Sequence, residues 1–196
     1  MKKLIALLLL LCVFCVPASA EIYNIHWCSF FAMSDWHVIT EENKWMWDKE
    51  TQIAFNDLYV DALAFFEDPT YGLLEIRIDL MYDYQSTDFS FNELDDNYLF
   101  YVMYQAYESI PDEYVNLSGA KVKTIGSNKW FVLPGGADAR TLTTYQTCYK
   151  GQMITISAVY RSVSDVQPLT PLTELFIEYV DFTNKTNSNY TDIVVY

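Results

Sequence analysis

Histidine, cysteine and basic side chains are scarce in this chain, and their scarcity closes off several chemistries before any pattern is read. Only His26 and His37 are present. With Cys28 they make the one candidate metal cluster, which is short of ligands for a closed tetrahedral zinc site, so neither metal nor any other cofactor is expected. Cys12 and Cys15 lie in an apolar leader, which leaves Cys28 and Cys148. Two cysteines are no disulfide framework. They can form a single bridge closing a loop of about 120 residues, worth on the order of 4 kcal/mol, provided the fold brings their α-carbons within about 7 Å. A Cys–His catalytic pair would need an electropositive pocket to ionise the thiol, which an acidic chain is poorly placed to build.

Long apolar runs are also missing. The longest, Leu4–Val16, has 13 residues, whereas a membrane span needs about 20. Lys2 and Lys3 precede it, and Pro17 with Ala18-Ser19-Ala20 follows. That is the form of a secretory signal peptide cleaved after Ala20. Residues 1–20 are therefore read as leader and 21–196 as one secreted domain, with no membrane insertion after cleavage. Loss of Lys2 and Lys3 leaves 10 basic against 26 acidic residues, a net charge of −16. Such a surface repels nucleic acid and anionic lipid, and it suits extracellular solubility or a cationic partner.

Glycine is limited to six residues, with one pair, Gly135-Gly136, in "LPGG". A phosphate loop would need a helix behind it, but "ADARTLTTYQT" reads as a strand. The stretch is therefore a turn between antiparallel strands.

Aromatic residues are plentiful, with 16 Tyr and 12 Phe, and point to a sheet-rich interior. Ile22 to Phe31 and then Trp36 to Thr40 read as an N-terminal edge hairpin. Tyr59 to Phe66 and the strand after Gly72 form a second hairpin. In it Ile76, Ile78, Leu80 and Tyr82 alternate with Arg77, Asp79, Met81 and Asp83. Ser90 and Glu93 resemble a capping box opening a helix near Phe91 to Ser109. A four-stranded meander follows, turning at Gly126–Asn128, Pro134–Asp138 and Lys150-Gly151. A two-residue turn at Lys150-Gly151 would pair Thr147 with Ile154, Tyr145 with Ile156 and Thr143 with Ala158, which make the core face. Thr144, Gln146 and Cys148 then lie on a weakly polar face suited to a covering helix or a partner. Thr170-Pro171 opens a last helix whose apolar stripe is Leu172, Leu175, Phe176, Tyr179 and Val180. The tail from Thr183 is polar until "DIVVY", which can add a short edge strand.

This element order, with "DWHVIT", "GAKVKTIGSNKWFVL" and "YKGQMITISAVY", resembles the PsbP-like α/β/α sandwich and its exported bacterial members, over about Asp35 to Phe182. The resemblance implies an α+β fold, an antiparallel sheet of about six strands flanked by helices. It also implies an accessory or binding role rather than an enzymatic one, and it carries over no site residue.

Among candidate sites, Glu41-Glu42 and Asp95-Asp96 carry little information, because 26 acids always supply some pair for an exported hydrolase. The tryptophans Trp36, Trp45 and Trp47 carry more, since exposed indoles on a rim grip sugar rings and peptides. The alternative is that they staple the N-terminal hairpin to the sheet. The leading expectation is thus a secreted, non-enzymatic accessory or binding protein with an unknown protein or glycan partner. A carbohydrate- or peptide-binding module using these tryptophans is the second.

Overall fold

A computed structural model describes residues 20–182 except 26, 34, 69–71, 84–87, 112–114, 136–140 and 162–169. The leader, His26, the second half of "LPGGAD" and the tail with "DIVVY" fall outside the described residues.

Seven antiparallel strands form the main sheet, in the order β3-β4-β5-β9-β8-β7-β6. They are β3 (His37–Thr40), β4 (Ala62–Asp68), β5 (Gly72–Asp83), β6 (Lys121–Ile125), β7 (Asn128–Gly135), β8 (Thr141–Tyr149) and β9 (Gln152–Arg161). A separate two-stranded sheet pairs β1 (Ala20–Ile25) with β2 (Cys28–Met33). The architecture is therefore α+β, with seven strands in the main sheet where sequence suggests about six. The expected N-terminal hairpin is divided: Ile22 and Phe31 pair within β1–β2, whereas β3 leaves them to become an edge of the main sheet.

The β8–β9 register is the expected one, Thr147 opposite Ile154, Tyr145 opposite Ile156 and Thr143 opposite Ala158. Lys150 and Gly151 take φ of 48° and 81°, the left-handed pair that a two-residue hairpin requires. Two faces result. On one, Ile76, Ile78, Tyr145, Ile154, Ile156 and Tyr160 are buried beneath the β1–β2 hairpin and helix α3 (Thr170–Glu178). Trp27, at the hairpin turn, donates through Nε1 to Asp61 Oδ2 at 2.8 Å, and Ser29 exchanges two backbone hydrogen bonds with Asp181.

Helices α1 (Lys49–Leu58) and α2 (Asp96–Tyr107) lie on the other face, at opposite ends. Helix α1 buries Phe55 against Ile39 and Leu63; α2 buries Leu99 and Met103 against Phe131, Leu133 and Cys148. These are two separate apolar clusters. Helix α2 is shorter than the expected Phe91 to Ser109, because Phe91–Glu93 is a 3₁₀ turn and Asp95, accepting from the N–H groups of Asn97 and Tyr98, caps the helix proper. The expected capping box is present at this turn, Ser90 and Glu93 exchanging side-chain and backbone hydrogen bonds, and the Ser90 hydroxyl also accepts from Lys150 N–H, which ties the turn to the β8–β9 hairpin.

Candidate functional site

Helix α3 carries more apolar surface than it buries. Phe176, Ile177 and Val180 enter the core, whereas Leu175 is 44% and Tyr179 54% exposed. The stripe expected from sequence therefore splits between core and surface. On the hairpin opposite, Phe31 and its cross-strand partner Ile22 are also exposed. Between them lies an apolar groove of about 300 Å³, walled by Phe31 and Ala32 of β2, by Leu172 and Leu175 of α3 and by Tyr179 just after it, with Trp36 and Phe176 buried below. The rings of Trp36 and Phe176 stack at 5.5 Å, and those of Phe31 and Tyr179 meet edge-on at 6.1 Å.

One lining residue carries a buried, unpaired polar atom. The indole Nε1 of Trp36 is buried and lacks a hydrogen-bond partner among the described residues. A buried, unpaired donor costs roughly 1–3 kcal/mol. Acidic residues flank the lining: Asp35 precedes Trp36, Glu178 precedes Tyr179, and Glu21 stands opposite Ala32. Mostly apolar walls with one buried polar group are the usual composition of a binding site.

The three tryptophans singled out from sequence do not converge. Trp36 belongs to the α3 face and is 6% exposed rather than on a rim. Trp45 is 73% exposed on the 3₁₀ turn Lys44–Met46, its Nε1 donating to the Glu42 carbonyl. Trp47 is half-buried on the α1 face, with His37 at 5.8 Å and Phe65 at 5.9 Å. The groove-lining Phe31 and Tyr179 were not singled out; the signal available was an α3 stripe wider than a helix of nine residues needs for one contact.

The possible disulfide is not formed. Cys28 and Cys148 are free and buried in clusters on opposite faces of the sheet, so the sheet itself separates them. Burial raises both thiols, with Asp61 and Asp181 adding to the rise at Cys28. Neither is a poised nucleophile. Both are expected to resist a thiol reagent in the native protein and to react stoichiometrically in denaturant; reaction of either in the native protein would contradict this placement. His37 stacks on Phe65 at 5.1 Å, and no group of three or more metal-ligating side chains occurs among the described residues. No helix among them is long and apolar enough to cross a membrane.

No known protein family and no curated protein matches the chain. Among solved structures it is similar to one from Bacteroides thetaiotaomicron VPI-5482, at 11% identity and a TM-score of 0.42, covering 85% of this chain and 49% of that one. It thus spans about half the length of that protein. It is also similar to LpqN, involved in cell envelope biogenesis of Mycobacterium tuberculosis, at 13% identity and a TM-score of 0.42, covering 84% of each chain.

Proposed function

We propose that this is an exported binding protein that works without catalysis, and that its groove takes an apolar segment of a partner flanked by basic residues. The observation carrying this reading is the groove itself: exposed Phe31, Leu175 and Tyr179 around a buried aromatic floor. Solvent-exposed apolar surface with a polar rim is kept where something covers it. The occupant's charge follows from Asp35, Glu178 and Glu21 beside the lining, and from a net charge of −14 over the whole sequence. Opposite charge on the partner speeds encounter and fixes register, while the apolar contact supplies affinity. The leader-like N-terminus and the resemblance to exported PsbP-like accessory proteins agree with this role.

Leu175→Arg with Tyr179→Arg should abolish capture of a synthetic peptide bearing a Leu/Phe centre and Lys flanks, measured by fluorescence anisotropy at low salt, while leaving the fold intact. Wild-type binding should weaken as salt rises. A peptide bound equally by the double variant would remove the groove from the mechanism. Hydrolysis of the peptide by the wild type would remove the claim that no catalysis occurs.

A further inference from the structure

The wall that β2 gives to the groove is an open strand edge. Ser29 donates its N–H to the Asp181 carbonyl at 2.9 Å and accepts from the Asp181 N–H at 2.8 Å, so both of its backbone groups point away from β1. In an antiparallel pair, residues alternate between exchanging both bonds with the opposite strand and directing both outward. Ser29 stands opposite Asn24, Phe31 opposite Ile22 and Met33 opposite Ala20. The N–H and C=O groups of Phe31 and Met33 therefore also point outward, on the side where Asp181 lies. Tyr179, two residues before Asp181, meets the Phe31 ring edge-on. That outward side is the side of α3, and the edge of β2 opens into the groove between them.

The chain does not fill this edge itself. Extending the Ser29–Asp181 bridge would set Tyr179 opposite Phe31, but the Tyr179 N–H is bonded to the Phe176 carbonyl at 3.2 Å, just past the helix. Helix α3 thus takes the place where a further strand would run. Among the described residues, neither backbone group of Phe31 has a hydrogen-bond partner.

Water satisfies such groups in the free protein, and what distinguishes this edge is its setting. The outer strands of the main sheet are guarded: β6 carries Lys121 and Lys123, and β3 has only four residues. Charge and shortness are how sheet edges are kept from pairing. In contrast β2, Cys28–Met33, has neither charge nor proline, and its edge adjoins an apolar cavity. Acidic residues stand around that cavity, Glu21 opposite Ala32, Asp35 before Trp36 and Glu178 before Tyr179.

Building on the groove as the place where the partner binds, we infer that it takes an extended segment as an added β-strand, antiparallel to β2. Two residues of the segment, two positions apart, exchange backbone bonds with Phe31 and Met33, which are about 6.8 Å apart along the strand. The residue between them falls beside Ala32, whose small side chain is buried with Trp36 and Phe176, so that residue is apolar. Basic residues on either side meet the acids. Main-chain bonds then supply affinity and a single apolar position supplies side-chain choice, as in strand addition generally.

A peptide with a central Leu between two Thr residues, and two Lys at each end, should be titrated into the protein by fluorescence anisotropy. Replacing the backbone amide of both Thr residues by an ester removes the N–H groups that bond the Phe31 and Met33 carbonyls. This double ester should bind at least about tenfold more weakly, whereas an ester at the Leu, whose N–H faces away from β2, should bind as the parent does. Amide exchange followed by NMR should slow at Phe31 and Met33 when the parent peptide binds, while Phe30 and Ala32, already bonded to β1, change little. Parent binding that is lost with Leu175→Arg and Tyr179→Arg, yet responds equally to an ester at every position or leaves exchange at Phe31 and Met33 unchanged, would overturn the added strand and leave the groove standing. Absence of parent binding would overturn both. Protection of Phe31 and Met33 that grows with protein concentration in the absence of peptide would assign the edge to a second copy of the chain and likewise overturn the inference.

Discussion

Phe176→Ala should lower the stability of the protein by about 3–5 kcal/mol in urea unfolding, the usual range for removing a buried phenylalanine. Its ring is 6% exposed, 5.4 Å from Phe30 of the hairpin and 5.5 Å from Trp36 after it. It thereby joins α3, β2 and the start of β3 through one side chain. Two aromatic pairs add roughly 0.5–1.5 kcal/mol each beyond area burial and are lost together. Because the groove lies directly above, its contents can partly relax into the vacated space, which favours the lower end of the range. A loss of that size is a large share of the 5–15 kcal/mol that typically separates folded from unfolded chains. Leu175→Ala, one residue away and 44% exposed, should change stability by no more than about 0.5 kcal/mol, yet remove a groove wall. Comparable losses for the two substitutions would show that Leu175 is structural, and the groove would then lose its standing as a surface kept for a partner.

How much of this was legible in the sequence differs by element. The β8–β9 pairing could be read residue by residue, because a two-residue turn with Gly151 in the left-handed region fixes register locally. Helix α3 was legible for the same kind of reason: its apolar spacing is confined to nine residues. Helix α1 was not, since Phe55 is its one fully buried side chain and, apart from half-buried Leu58, its remaining positions are polar or exposed. Periodicity reports a buried face, and this helix hardly has one. The assignment of β3 to the main sheet depends on pairing with β4 across an intervening helix, a non-local choice that no short window contains.

The sites were less legible than the fold. Trp36 and Trp47 stand 11 positions apart and resemble one aromatic set, yet the sheet passes between them. Arg77 and Asp79 appeared as the solvent side of an alternating strand, which is the ordinary meaning of that pattern. Only the position of β5 next to central β9, with both helices displaced to the ends, turns that side into a half-buried face. Alternation states which residues share a face, and the topology decides what that face meets.

Asp61 connects the two faces, and its replacement should show this. Its Oδ2 accepts from Trp27 Nε1 at 2.8 Å and from Leu80 N–H at 3.0 Å. Asp61→Ala strands both donors and should cost about 2–4 kcal/mol, since each lost bond to a charged acceptor is worth roughly 1.5–3 kcal/mol and some water will enter. That corresponds to about 2–4 °C in Tm per kcal/mol for a chain of this size. Asp61→Asn keeps an acceptor at the same place and should cost clearly less, which separates the hydrogen bonds from the charge. The charge acts on Asp79, whose carboxyl is raised first by burial and then by Asp61. A raised carboxyl binds more protons folded than unfolded between its ordinary value and its folded one. Its contribution to stability is therefore full below pH 3.8 and falls as pH rises through that interval. Asp79→Asn should remove this fall and stabilise the protein at neutral pH. Asp61→Asn should shrink the same fall. Urea midpoints for the three proteins from pH 3 to pH 7 give the comparison, and a wild-type profile unchanged by Asp79→Asn would mean that burial and Asp61 do not raise this carboxyl in the folded state.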